Sequence, residues 1–360
     1  MNFLRHKLSS LAVLPMAVLP MVVCLTHAAL PQTAQPQAAP LATAAAPATH
    51  SCDAVPHSDH PAARIGNGKM AAVIFLPDAQ QGFYRGSRFD WGGLVACASL
   101  DGHTFFGEWF NRYDPMINDA VTGPVEEFRN PTSELGYDDA APGGLFLKIG
   151  VGIVRRIDAT PYRFGESYPI VDHGKWTVKT GKHSVTFRQE LHSSIGFAYI
   201  YEKTLSLDKN GNVLTLQHRL RNIGSKSLDT AVYDHDFYML DNQPTGPGME
   251  IHFPFVPVPD KPLPDSAQID GKTVRFVTPL QPRNGVGAYI TGYSDRVADY
   301  DFVFENKASG IGVEQTSDSP LATVYLWATP KTVCPEAYIA IHAPPGQSQQ
   351  WTIHYRFFTH

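Results

Sequence analysis

The sequence has no basic stripe, no heptad run and no internal repeat, and its helical signals are few. Without a basic stripe, and with a net charge of −5, the chain lacks the electrostatic footprint of a nucleic-acid binder. Cysteine is scarce too: there are four. Cys24 falls in an apolar N-terminal run, and Cys52, Cys97 and Cys334 match no metal-ligand spacing. Neither a metal nor another cofactor is expected. In an oxidising compartment one pair of the three could close and one thiol would be left over. Cys97 and Cys334 read as buried small hydrophobes, and Cys52 is left open.

What is present begins with a leader. Arg5, His6 and Lys7 form a positive segment, residues 11–25 are apolar but broken by Pro15 and Pro20, and Thr26-His27-Ala28 offers small residues for cleavage. Residues 1–28 are expected to be a signal peptide, too short for a comfortable membrane span. Lipid attachment through Cys24 fits less well, because Met21-Val22-Val23 makes a poor lipobox. The mature protein is expected in the periplasm or outside the cell, with no membrane span. Residues 29–51 are rich in Ala, Pro, Gln and Thr and read as a disordered linker. Residues 52–360 are expected to form one domain.

Strand and turn signals recur through that domain. Apolar or alternating runs occupy 70–76, 93–100, 145–154, 175–179, 184–191 and 197–207. They continue at 213–221, 228–233, 286–293, 323–327, 337–342 and 350–358. Asp101-Gly102, Gly181-Lys182 and the segment 208–212 punctuate them. More than a dozen strands joined by short turns predict an all-β fold, a large antiparallel β-sandwich. Residues 244–264, rich in proline, read as a long loop.

Four polar stretches interrupt the apolar strands. Tyr84-Arg85-Gly86-Ser87-Arg88-Phe89-Asp90-Trp91 sets two arginines among aromatics, either a salt-bridged turn or a clamp for paired oxygens. Asp172-His173-Gly174-Lys175-Trp176 offers a second histidine. Asp234-His235-Asp236-Phe237-Tyr238 places a histidine between two carboxylates where a strand ends. His235 is either a proton donor and acceptor or a core histidine satisfied by a carbonyl. In Cys334-Pro335-Glu336-Ala337-Tyr338, Glu336 is solvated surface charge unless recessed, in which case burial raises its pKa toward that of a usable base. Glu108 and the pair Glu126-Glu127 could line a rim but read as ordinary surface charge. Glu314-Gln315 reads as solvating the end of a strand.

The order of these stretches resembles the galactose mutarotase (aldose 1-epimerase) superfamily over nearly the whole chain from about Asn67. The segment around His235 is similar to the family's Asn-His-aromatic segment, with Asp234 where Asn is usual. Glu336 lies where the family has its base, Pro345-Gly346 and the following aromatic strand echo its ending, and no match for its sugar-binding Asp is evident. The resemblance implies the supersandwich fold of that family and a mono- or oligosaccharide substrate. It further implies anomer interconversion, with Glu336 as base and His235 as acid on opposite sides of the sugar. Arg88, His173 and Arg85 would hold hydroxyls, while Trp91 or Trp176 offers a stacking face. The same fold also serves polysaccharide lyases and non-catalytic carbohydrate-binding modules, and both readings stay open.

Overall fold

A computed structural model describes residues 51–130 and 132–360. The expected leader and nearly all of the linker lie outside the described residues. Strands dominate; the described helices are two three-residue 3-10 turns, Leu240–Asn242 and Val297–Asp299.

Two large antiparallel sheets carry the fold. The larger has ten strands, running in space from Ala267–Asp270 through Thr273–Phe276, Met249–His252, Asp301–Asn306 and Ile311–Ser317 to Ser348–Thr359. It continues with Val213–Asn222, Ala198–Leu207 and Ser184–His192, and ends at Lys175–Thr180. The smaller has six strands, ordered Val258–Pro259, Val286–Thr291, Thr323–Ala328, Val333–Ala343, Leu228–His235 and Val125–Phe128. A four-stranded sheet from Ala62–Gly66 to His103–Thr104 and a three-stranded one from Leu145–Lys148 to Ile170–Asp172 flank them.

Alternation explains the packing. In Val213–Asn222, Leu214, Leu216, His218 and Leu220 are buried, whereas Gln217, Arg219 and Arg221 are exposed. The buried row joins Val232, Ile339, Ile341, Val324 and Leu326 of the smaller sheet in one core. Each such side chain contributes about 1.5–3 kcal/mol on burial. Among these leucines sits a charged group: Lys203 contacts Asp90 at 2.7 Å and also Glu126, whose other oxygen meets His218 Nε2 at 2.6 Å. All four residues are buried.

Several sequence expectations change. The run 145–154 is two strands, Leu145–Lys148 and Gly152–Arg155, because Gly150 and Gly152 take positive φ and turn the chain back. The proline-rich 244–264 contains Met249–His252, which pairs within the larger sheet. Gln315 does not solvate a strand end. It lies buried in Ile311–Ser317, donating to the hydroxyls of Tyr300 and Tyr355 at 3.1 and 3.2 Å. Cys97 is not a free buried thiol: it forms a disulfide with Cys52, joining the N-terminal segment to Leu94–Leu100, and Cys334 is left free and buried.

Candidate active site

The pleat of Leu228–His235 separates His235 from its neighbours in sequence. Ala231 and Tyr233 belong to an aromatic cluster on the outer face of the six-stranded sheet, with His235 in step with them. Val232 and Asp234 point between the sheets. Asp234 and Asp236 both reach the Tyr355 hydroxyl of the larger sheet, at 2.5 and 2.7 Å. A hydroxyl donates one proton, so both contacts are hydrogen bonds only if one carboxyl is itself protonated. Burial, reinforced by nearby carboxylates, pushes Asp234 up to about 8 and Asp236 well above the ordinary carboxylate range. The two aspartates therefore anchor the strand end in the core and do not face a ligand.

Pairing brings Glu336 to His235. Val232 lies opposite Ile339 in the antiparallel register, so Glu336 falls beside the histidine, and its Oε1 is 3.7 Å from Nε2 of His235. Gly123 backs the same point, since a Cβ there would overlap the carbonyl oxygens of His235 and Asp236. Around the imidazole stand Phe237, stacked at 3.7 Å between centroids, with Trp327 and Phe89 edge-on at 5.0 and 5.8 Å. Burial in this cage, and the Arg88 cation, hold the His235 pKa well below its usual value. Burial also pushes Glu336 up to about 7, against the opposing pull of Arg88 and a 2.9 Å hydrogen bond from the Tyr338 hydroxyl. The pair thus rests near neutrality with one proton, held by Glu336.

A cavity of about 340 Å³ opens over the pair, lined also by Trp109, Phe237, Trp327 and Arg88. Trp109 and Trp327 meet edge to face at 5.2 Å, a rigid apolar corner of the kind on which a sugar ring can rest. Arg88 is buried and heavily engaged. Its Nε donates to Glu127 at 2.9 Å, Nη1 to Asp119 at 2.6 Å and Nη2 to the Tyr233 hydroxyl at 3.2 Å. Glu126 and Glu127 are not rim charges. Consecutive in a strand, they point to opposite faces, one to Lys203 in the core and the other to Arg88 beneath the cavity.

Of the residues selected from sequence, the cavity collects Arg88, His235 and Glu336. It does not collect His173, Trp176, Arg85 or Trp91. His173 is exposed, its Nδ1 3.0 Å from the Gly174 carbonyl oxygen, and it leads into Lys175–Thr180 at the far edge of the other sheet. Trp176 lies on that same strand, half-buried against the core. Trp91 is buried, donating from Nε1 to the Gly86 carbonyl at 2.8 Å. Glu108 pairs with His57 at 3.5 Å. Trp327 and Tyr325 were legible in principle: Thr323–Ala328 alternates buried Val324, Leu326 and Ala328 with half-buried aromatics. Arg129 and Lys261, which also line the cavity, carry no such signal.

Among the described residues one group has metal-ligand spacing, Glu250, His252 and Glu305 on the larger sheet. Lys307 and Arg275 already contact its Glu250 at 2.8 and 3.0 Å.

No protein-family model matches the sequence, and no curated protein does. Solved structures do match the fold. The GalM/aldose epimerase homologue from C. elegans superposes with a TM-score of 0.52 at 13% identity, covering 83% of this chain and 98% of its own. The galactose mutarotase related enzyme from Lactobacillus acidophilus gives 0.52 at 13%, covering 83% and 97%. A galactose mutarotase-like protein from Clostridium acetobutylicum gives 0.51 at 13%, covering 82% and 95%. With its antiparallel sheets in this arrangement, the chain has the galactose mutarotase-like fold.

Proposed function

We propose that this protein binds a sugar over the six-stranded sheet and interconverts its anomers. The observation that carries the reading is the 3.7 Å separation of His235 and Glu336 at the bottom of a tryptophan-lined cavity. The resemblance implies acid and base on opposite sides of the ring; the 3.7 Å separation favours a reading in which they act side by side. The anomeric hydroxyl and the ring oxygen are bonded to one carbon, so two groups side by side can serve both.

From the arrangement in which the pair's single proton sits on His235 and Glu336 is charged, Glu336 takes the proton of the anomeric hydroxyl while His235 gives its own to the ring oxygen, and the ring opens. Rotation about the bond next to the aldehyde, followed by the reverse transfers, closes it as the other anomer. After the first transfer Glu336 is protonated and His235 neutral, the state that burial favours in both. Each group supplies on the order of 10²–10⁴-fold.

Export to an oxidising compartment belongs to the same proposal, supported by the Cys52–Cys97 disulfide and the leader-like N-terminus. Cell fractionation with the intact chain tests it; an exclusively cytoplasmic protein would refute it.

Polarimetry of freshly dissolved α-glucose and α-galactose tests the activity. Wild type should accelerate mutarotation, and Glu336→Gln should lose at least about a hundredfold while still binding sugar. An unsaturated, ultraviolet-absorbing product from uronate polymers, without mutarotation, would instead establish a lyase. Ligand-dependent melting with neither reaction would leave a binding module.

A further inference from the structure

Three cations line the cavity: Arg88, Arg129 and Lys261. Only one of them is neutralised. Arg88 is held by two carboxylates, as described above. Arg129, immediately after Val125–Phe128, has no carboxylate within 4.0 Å and no side-chain hydrogen bond among the described residues, and neither does Lys261. Arg129 is nevertheless half-buried. Its guanidinium lies over the Phe164 ring at 4.4 Å, and Arg88 approaches the same ring at 4.9 Å. That contact uses the face of the ring and leaves the guanidinium's donor fork without a side-chain partner among the described residues.

Glu127 and Glu336 lie near enough to favour the charge without touching it, so the donor fork of this half-buried guanidinium is free to receive an oxyanion from the cavity. Resting on the sugar-site reading above, we infer that the sugar this cavity takes carries an oxyanion, seated on Arg129 with Lys261 nearby. The register supports the direction. Arg129 N donates to the Ala231 carbonyl, so its backbone lies level with Ala231, four residues along the strand from His235. At about 3.3 Å per residue that is roughly 13 Å, part of which the long side chain spans back toward the cavity. The anion therefore belongs at the end of the sugar remote from the anomeric carbon. A second cavity of about 230 Å³, lined by Arg129, Ala231, Tyr289, Thr323 and Tyr338, adjoins there, with Arg129 and Tyr289 shared between the two. A planar carboxylate, as on a uronic acid, and a phosphate ester both present oxygens to such a fork.

The test is calorimetric binding to the intact protein of galacturonate, glucuronate and glucose 6-phosphate against galactose and glucose. At least one acidic sugar should bind about tenfold or more tightly than its neutral counterpart, the difference shrinking as salt is raised. Arg129→Gln should abolish that margin, weakening the acidic sugar about tenfold more than the neutral one, whereas Arg129→Lys should keep part of it, losing the fork but not the charge. The carboxylate and phosphate arms report which oxyanion fits. Equal affinity for neutral and acidic sugars, or an Arg129→Gln that weakens both alike, overturns the inference. Should Arg129→Gln fail to fold, the wild-type comparison decides alone. Failure of the catalytic reading looks different: the acidic sugar binds through Arg129 but its anomers equilibrate no faster than in buffer. Arg129-independent mutarotation of neutral sugars, with no preference for the acid, leaves the catalytic reading standing and removes this one.

Discussion

His235 lies face to face with Phe237, two residues further along the chain, with ring centroids 3.7 Å apart and planes 8° from parallel. Phe237 reaches this position in the left-handed region, at φ 47°, which a bulky side chain adopts only under constraint. The next residue re-pairs at once, Tyr238 N donating to the Val333 carbonyl at 3.0 Å. The strand that delivers the histidine is thus ended by a strained turn that folds an aromatic lid back onto it. Strain of this sort costs on the order of 1–3 kcal/mol and persists where the surroundings enforce it.

That strain is measurable. Phe237→Ala loses the stacked ring and keeps the unfavourable φ, while Phe237→Gly loses the ring but removes the penalty. In urea denaturation the glycine variant should be the more stable of the two by about 1 kcal/mol, and both should fall below wild type. In either variant the His235 imidazole, titrated by NMR, should move up toward its ordinary pKa as water enters. An alanine variant at least as stable as the glycine variant would show that the turn is unstrained.

Activity should depend on pH through the single proton of the Glu336–His235 pair. Above about 7, where Glu336 gives it up, nothing remains to protonate the ring oxygen. Well below the usual imidazole range, His235 gains a second proton and no base remains. The rate should therefore peak between these limits and fall as pH rises through about 7, the apparent values belonging to the pair. A mutarotation rate still climbing between pH 7 and 9 would contradict the assignment.

Stability should fall over part of the same range because of Asp234. Its folded pKa of about 8 exceeds the unfolded value, so between roughly pH 4 and 8 the native state holds more protons than the unfolded chain. Stability contributed by the protonated form is present at the acid end and is lost as pH rises through 8. Asp234→Asn keeps the contact to Tyr355 without titrating. Its stability relative to wild type should rise between pH 5 and 8 by at least about 1.4 kcal/mol, one pKa unit's worth. Parallel stability curves for the two proteins would rule out a protonated Asp234.

Lys203→Met should be among the most damaging single changes to the core. It leaves Asp90 and Glu126 as buried carboxylates without their cation. Breaking a buried pair by removing one partner costs about 3–5 kcal/mol. Denaturant unfolding should register a loss of that size, partly recovered when Asp90→Asn is added. A loss below about 1 kcal/mol would mean the group is not fixed as a charge cluster.

The fold was legible because alternation was strong where strands face a core on one side, as in Val213–Asn222. It was obscured where both faces are covered. Val125–Phe128 is buried at every position, so Glu126 and Glu127 looked like surface charge when each has a buried cation on its own face. His235 and Glu336 were singled out because each interrupts an apolar strand, and the register sets them side by side. His173 and Trp176 were misplaced for a topological reason: nothing local tells a strand which sheet it will join. Arg129 escaped notice because its character comes from what does not surround it, an absence visible only in space.

The His235 strand is hydrogen-bonded on both sides, to Val125–Phe128 and to Val333–Ala343, while Lys261 and Phe164 sit on connecting segments. The two parts of the cavity consequently tolerate substitution differently. Moving His235 or Glu336 along its strand would slip the register and turn every side chain on that strand to the wrong face, so the two are held opposite each other by the ladders. Substitutions in the connecting segments disturb no ladder. Libraries built at the rim should yield new sugar preferences from stable proteins, and libraries built on the strands should yield mostly unfolded ones.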